Sequence, residues 1–482
     1  MLQDIFIGRE REQRLYRDFL TIVTPWVLIL TGLGGSGKSR LLRHLKGHAP
    51  QNIPVVMLDF ANNVLQTDYL SILKEIARQV AGECKAAAVK ATMDAVAEGR
   101  RNIEVLSAQA KRDIIIQALN VEGGQAKGNE MKIQLDKNIQ EIKRQVLEEV
   151  LDPFYAQVAP INPDRLVLML DHCEWLNDAE VGPWVFNELI PQLRERLQEQ
   201  DKLLSVVIAS RVQPQLNAIG KQDLQTIRLP LFSKAEVGRY LQHMGVHDAA
   251  ILEYVYDLTH GHAWSLLILY QLCENQEKMP SSVDELMALQ DAFIENVRTA
   301  IIEDDFLNER FIKSPYRELT RYGVLLRRFN QSFLQFVFSD WLPNATASEQ
   351  FDKFTRFPHV MPPKDDYYTF FDLLREILVN RIFGQEKGMW STYHGLALKY
   401  LTRVAPQTSE WFYHDLAYRI INKENMSIDR ENLTQIKAAL QDAKARNKPT
   451  RADLALLEAA SDKTLKRILQ EAEYAEEEVV SN

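Results

Sequence analysis

At 482 residues the chain is long enough for about three domains, each able to bury its own core, which excludes a small scaffold that relies on disulfides. Its 46% hydrophobic and 26% charged residues are those of a folded globular chain and exclude a disordered or fibrous one. A formal net charge of −9 excludes a whole-molecule electrostatic grip on nucleic acid, which needs a basic surface.

The N-terminus, MLQDIFIGRERE, carries charge where a leader peptide needs an apolar core. No apolar run approaches the roughly 18 residues of a membrane span, so the expectation is a cytoplasmic chain with no membrane contact. Cys84, Cys173 and Cys273 are widely spaced and show no metal-ligand pattern, which predicts reduced thiols.

In chain order, WVLILT (Trp26 to Thr31) is a short apolar run that ends in a glycine-rich turn, and SRLLRHLK (Ser39 to Lys46) follows with helical spacing. IPVVMLDF (Ile53 to Phe60) is a second strand, before a helix starting near Thr67 with Leu70, Ile72, Leu73, Ile76 and Val80 on its apolar positions. The stretch from Cys84 to Val150 is charged and alanine-rich. It reads as an inserted pair of helices around a β-hairpin at Gly123 and Gly124, forming either a solvated arm or an assembly surface. LVLML (Leu166 to Leu170), LLSVVIA (Leu203 to Ala209) and LQTIRLPLF (Leu224 to Phe232) continue the strand pattern, with a helix around Phe186 to Leu197. Continuous apolar strands alternating with helices imply a parallel sheet covered on both faces, hence an α/β domain over 1–232. Beyond it the pattern is helical: a lid over 233–303, and over 304–404 helices with a strand pair, KFTRFPHV and YYTFF, around the turn Met361 to Asp366. That combination suggests a winged helix. A helical tail over 405–482 ends in acidic residues, and no period of 20 to 50 residues marks a repeat array.

The chemistry concentrates in Gly32-Leu33-Gly34-Gly35-Ser36-Gly37-Lys38-Ser39, an unbroken GxxxxGKS between strand and helix. Glycines let backbone N–H groups curl around phosphate, and the helix N-terminus adds its positive end. Lys38 neutralises β- and γ-oxygens, and the Ser39 hydroxyl ligates Mg²⁺. The motif therefore predicts ATP or ADP with Mg²⁺, bound by Gly32, Gly34, Gly35, Ser36, Gly37, Lys38, Ser39 and Arg40. Asp171, at the end of an apolar strand, is the expected second metal residue. Glu174 either polarises the attacking water or caps the next helix, and His172 reads as filler because the sequence gives it no partner. Arg211 leaves a strand tip, where it either reads the γ-phosphate or forms a surface salt bridge.

Several segments resemble one family in order and spacing. FIGREREQRLYRDFL (Phe6 to Leu20) resembles the FxGRExE box of STAND-class signal-transduction ATPases, relatives of the AAA+ and NB-ARC proteins. LDHCEWL is similar to their LDNCEHL, IASRVQP to TSREPL, and IRLPLFSKAEVGRYL to the LxPLsxxEA step into a helical lid. THGHAWSLLIL resembles GLPLAL, and YYTFFDLLREIL (Tyr367 to Leu378) resembles the winged-helix segment YRFHDLLREYL, which carries the counterpart of the MHD motif. The resemblance covers roughly the first 400 residues. It implies Gly8 and Arg9 beside the adenine and ribose, Arg211 as sensor arginine, and a slow ATPase acting as a switch between the α/β, lid and winged-helix domains. Two departures bear on its ADP-held resting state: Ala263 stands at the GLPLAL proline, and Phe371 stands at the MHD histidine, with Asp372 retained. No effector or sensor segment is visible, so an effector or sensor protein in trans is implied, and a nucleotide-dependent homo-oligomer is compatible with the family. The alternative is an ATP-licensed winged-helix DNA-binding regulator, kept open by the basic run from Arg310 to Arg328 but not favoured.

Overall fold

The computed structural model describes residues 6–84, 90–119, 126–158, 164–177, 179, 181–276, 279–307, 312–364, 366–406 and 408–422. The chain divides into two compact units. One is Met1–Gly32 with Gly37–Pro230, and the other is Leu33–Ser36 with Leu231–Asn482.

In the first unit the apolar runs become β1 (Val27–Thr31), β2 (Val55–Asp59), β3 (Arg165–Asp171), β4 (Leu203–Ser210) and β5 (Leu224–Arg228), all parallel in the order β2-β3-β4-β1-β5. Alternate side chains on a strand face opposite ways, so each run feeds two cores. Ile29, Leu58, Leu168 and Val206 pack with Leu73, Ile76, Phe154 and Leu193 on one face. Leu28, Val55, Met169 and Val207 pack with Tyr16, Phe19, Leu41 and Leu45 on the other. Strand β4 lies between β1 and β3, and the carboxyl ends of all three meet at one edge, where ligands of parallel sheets gather.

The helix expected near Thr67 runs from Tyr69 to Cys84, because an Asn62-capped turn, Asn63–Thr67, intervenes and Asp68 Oδ1 accepts the Leu70 amide. The insertion departs from expectation more strongly. Lys90–Leu119 and Ala126–Val158 are two long helices, so IIIQAL and MKIQL, which flank the Gly123-Gly124 pair, are helical and not hairpin strands. The diglycine itself lies outside the described residues. The hairpin extends to Val158, past the expected Val150, and its base is buried through Val96, Val146, Val150 and Phe154. Arg100 ties it to the helix Tyr69–Cys84 by hydrogen bonds to Asp68 Oδ2 (2.7 Å) and Ser71 Oγ (2.6 Å).

The second unit is helical. Ser233 and Glu236 form a capping box for Lys234–His243, and Ala249–Thr259, Ala263–Asn275 and Val283–Val297 follow. Three short helices, Tyr316–Gly323, Gln331–Val337 and Ala347–Phe354, precede an antiparallel hairpin of β6 (Val360–Lys364) and β7 (Tyr367–Phe370), and Phe329 bridges to Tyr368 beside it. The hairpin is where the sequence suggests, but its first strand is shifted. KFTRF lies in and just after the helix Ala347–Phe354, because Phe351 and Phe354 at helical spacing fill the core, and the strand begins only at Val360. Asp372–Gln385, Lys387–Val404 and Ser409–Asn422 complete the unit. Residues 423–482 of the expected tail, including its acidic end, lie outside the described residues. Cys173 and Cys273 are buried free thiols.

Candidate nucleotide site

The phosphate loop leaves β1 and enters the helix Lys38–Gly47 through Gly37, which caps it at φ 94°, a left-handed conformation that favours glycine. Gly35 is left-handed as well (φ 69°), and a Cβ there would meet the Trp264 Cβ at 2.6 Å, so the position has neither the backbone freedom nor the room for a side chain. Lys38 is buried and its Nζ donates to the Gly32 carbonyl at 2.9 Å, which keeps the ammonium at the mouth of the loop. Arg40 is exposed on the first turn.

The acid side of the site is built by strand register. Asp171 ends β3 opposite Asp59, which ends the neighbouring β2. Asp171 is 1% exposed. Its Oδ1 accepts from the Ser39 hydroxyl (3.0 Å) and the His172 amide (2.9 Å), while Oδ2 is buried with no hydrogen-bond partner. Burial raises the Asp171 pKa, against the opposing pull of His172 and the Ser39 hydrogen bond. An orphaned carboxylate oxygen beside a serine hydroxyl and a second aspartate fits a hard divalent cation, which takes oxygen ligands. Ser39 and Asp171 would hold Mg²⁺, with Asp59 and His172 beside them; Asp59, Asp171 and His172 have ligand atoms within 4.8 Å of one another. Bound there, Mg²⁺ would neutralise charge on the β- and γ-oxygens of ATP and polarise the phosphoryl group.

His172 is not the filler residue the sequence suggests. It sits in the left-handed region (φ 55°), and its Nδ1 lies 2.8 Å from Asp59 Oδ1 while Nε2 contacts the Ser39 hydroxyl at 3.4 Å. Sequence reading missed both of these residues, although Asp59 carries the same signal as Asp171: an acid at the carboxyl end of an apolar run.

Glu174 and Arg211 are brought together, one strand over from each other. The Arg211 guanidinium Nε lies 2.9 Å from Glu174 Oε1, and the Arg211 amide donates to Oε2 at 3.1 Å. Glu174 itself lies in the short turn Cys173–Leu176, where both of its oxygens accept from Arg211. Gly8 and Arg9 are both left-handed (φ 74° and 65°), and Arg9, 5% exposed, heads the helix Glu10–Phe19.

Residues 5–206 match the family model of the AAA ATPase domain. Among solved structures, the chain is similar to a Signal Transduction ATPase with Numerous Domains (STAND) protein with a tetratricopeptide repeat sensor from Pyrococcus horikoshii. The identity is 13% over 97% of this chain and 58% of that one, with a TM-score of 0.31, too low to carry an assignment. The chain thus spans less than two thirds of that protein's length. No curated protein matches. Among the described residues no helix is long and apolar enough to cross a membrane. The matched segment, less than half of the chain, carries β1 to β3, the start of β4, the phosphate loop and its facing acids, which is the α/β fold of a P-loop ATPase.

Proposed function

We propose that the chain is an ATP-operated switch, a signal-transduction ATPase of the STAND class. It binds ATP or ADP with Mg²⁺, hydrolyses ATP slowly, and presents its nucleotide state to an effector or sensor protein on another chain. The observation that carries this reading is the Glu174–Arg211 pair. A carboxylate that orients attacking water must be available to accept from that water, and here both Glu174 oxygens are engaged by Arg211. Drawing the Arg211 guanidinium off Oε1 frees that oxygen for water while the Arg211 amide keeps Oε2 in place, and a γ-phosphate is the competitor that bidentate guanidinium chemistry favours. Turnover is gated by the same group that reports ATP.

The lid, 233–303, and the winged helix, 304–404, belong to this proposal. The three short helices, the β6–β7 hairpin and the Phe329–Tyr368 bridge support the second of these. The DNA-binding alternative is less well supported. Within the basic run Arg317 pairs with Glu318, Arg321 with Glu386 and Arg328 with Glu410, so three of its six positive charges are paired inside the unit.

Steady-state turnover tests the proposal. The wild-type chain is expected to hydrolyse ATP at below about 1 per second, under the range of ordinary enzymes. Glu174→Gln should keep ATP binding while lowering the residual rate by about a hundredfold. Wild-type turnover well inside the enzyme range marks a motor instead, and a Glu174→Gln chain that hydrolyses normally reduces Glu174 to an anchor for Arg211.

A further inference from the structure

The helix Ala263–Asn275 is capped by His262, which is fully buried and bonds in two opposite directions. Its Nδ1 lies 2.8 Å from the Ser265 hydroxyl and accepts from the Ser265 amide at 3.4 Å. An amide N–H only donates, so Nδ1 is the bare nitrogen and the ring proton sits on Nε2. That Nε2 lies 2.7 Å from the carbonyl of Gly34 in the phosphate loop, and a carbonyl only accepts, so the two ends of the ring agree on one tautomer. Two residues on, the Trp264 amide donates to the next carbonyl of the loop, Gly35, at 3.1 Å. Leu33–Ser36 and 262–264 belong to the same compact unit.

In the GLPLAL segment that this stretch resembles, the position of His262 is a leucine, which has nothing to donate. The ring of Phe371, at the place of the MHD histidine, lies 5.6 Å from the His262 ring. The histidine of this chain is therefore found on the lid segment, against the phosphate loop itself.

A trans peptide points its carbonyl and the following N–H in opposite directions. Holding the Gly34 carbonyl on the imidazole therefore sets the Gly35 N–H facing away from it, and a donor on the carbonyl polarises the same peptide and strengthens its N–H. Phosphate loops work by aiming backbone N–H groups at phosphate, and a loop ordered beforehand gives up less entropy when the ligand arrives. We propose that His262 is a positioning residue for phosphate recognition, its Nε2–H presetting the Gly34–Gly35 peptide of the loop. The proposal rests on reading residues 32–39 as a nucleotide site.

Two isosteric amides separate this role from helix capping. Asparagine places its Oδ1 near the Nδ1 position and keeps the cap but does not reach Gly34. Glutamine places an amide N–H near the Nε2 position and keeps that reach. Calorimetric titration of the full chain with MgADP and with a non-hydrolysable MgATP analogue is the measurement. Thermal midpoints without nucleotide serve as the control. His262→Asn is expected to weaken both nucleotides by about fivefold, the worth of one neutral hydrogen bond, with a single cooperative transition at a lower midpoint because the Gly34 carbonyl loses its buried donor. His262→Gln should stay within about twofold of wild type, recovering the bond. The proposal is overturned if His262→Asn binds as wild type, or if both variants lose affinity equally, since packing alone then explains the residue. Failure of the wild-type chain to bind either nucleotide overturns the reading of residues 32–39 itself, and the role of His262 with it.

Discussion

Lys38→Ala is expected to abolish the thermal stabilisation that ATP with Mg²⁺ gives the wild-type chain. A ligand present at a hundred times its dissociation constant adds about 2.7 kcal/mol to the folded state, which moves the melting midpoint by several degrees. Lys38 is the residue best placed to supply that coupling. Its ammonium is buried at the mouth of the loop on the Gly32 carbonyl, at 2.9 Å, a neutral partner that a polyphosphate outcompetes. Alanine removes the only side-chain charge in the motif and leaves the backbone path unchanged, so the nucleotide-free midpoint should hardly move. A mutant that keeps the full ligand-induced shift contradicts the assignment of the loop.

Asp171→Ala separates binding from stability by giving the two effects different sizes. Its carboxylate is buried, its pKa is raised by burial, and Oδ2 is unbonded, so in the nucleotide-free chain the group is costly to keep charged. Removing it should change nucleotide-free stability by no more than about 1 kcal/mol, because the lost bonds to Ser39 and the His172 amide are offset by the lost desolvation penalty. Nucleotide affinity measured with Mg²⁺ should instead fall at least about tenfold, to the level seen with a chelator. Titration of both chains with and without Mg²⁺ checks this, and an undiminished Mg²⁺ effect in the mutant moves the metal to other residues.

The parts of this site that were legible in the sequence are those whose chemistry is local. Gly35 and Gly37 need left-handed backbone, Lys38 and Ser39 must follow them at fixed offsets, and Asp171 closes a strongly apolar strand; all of this lies along one stretch of chain. The parts that were not legible depend on register. Asp59 joins Asp171 only because β2 and β3 are neighbours, and His172 gains a partner only through that pairing. The Glu174–Arg211 pair depends likewise on β4 lying beside β3, which no spacing reveals. In the insertion, the apolar stretches beside Gly123-Gly124 have the β-branched composition of strands, yet 30 and 33 residues of continuous helix form there. Long helices pack against each other along their length, which overrides local strand preference. KFTRF misled for a related reason: its Phe354 and Phe357 suit a strand, but Phe354 closes a helix on which it shares the core-facing side with the preceding Phe351.

The central claim, that the chain has two nucleotide-dependent states, is tested most directly by backbone hydrogen exchange of the full chain saturated with ADP or with a non-hydrolysable ATP analogue, both with Mg²⁺. The two profiles should differ at 262–264, at the β4 tip around Arg211 and in the segment Tyr367 to Leu378, because the γ-phosphate competes for Arg211 and the phosphate loop is tied to the lid through His262. Profiles that coincide throughout, with both nucleotides shown to be bound, would contradict it.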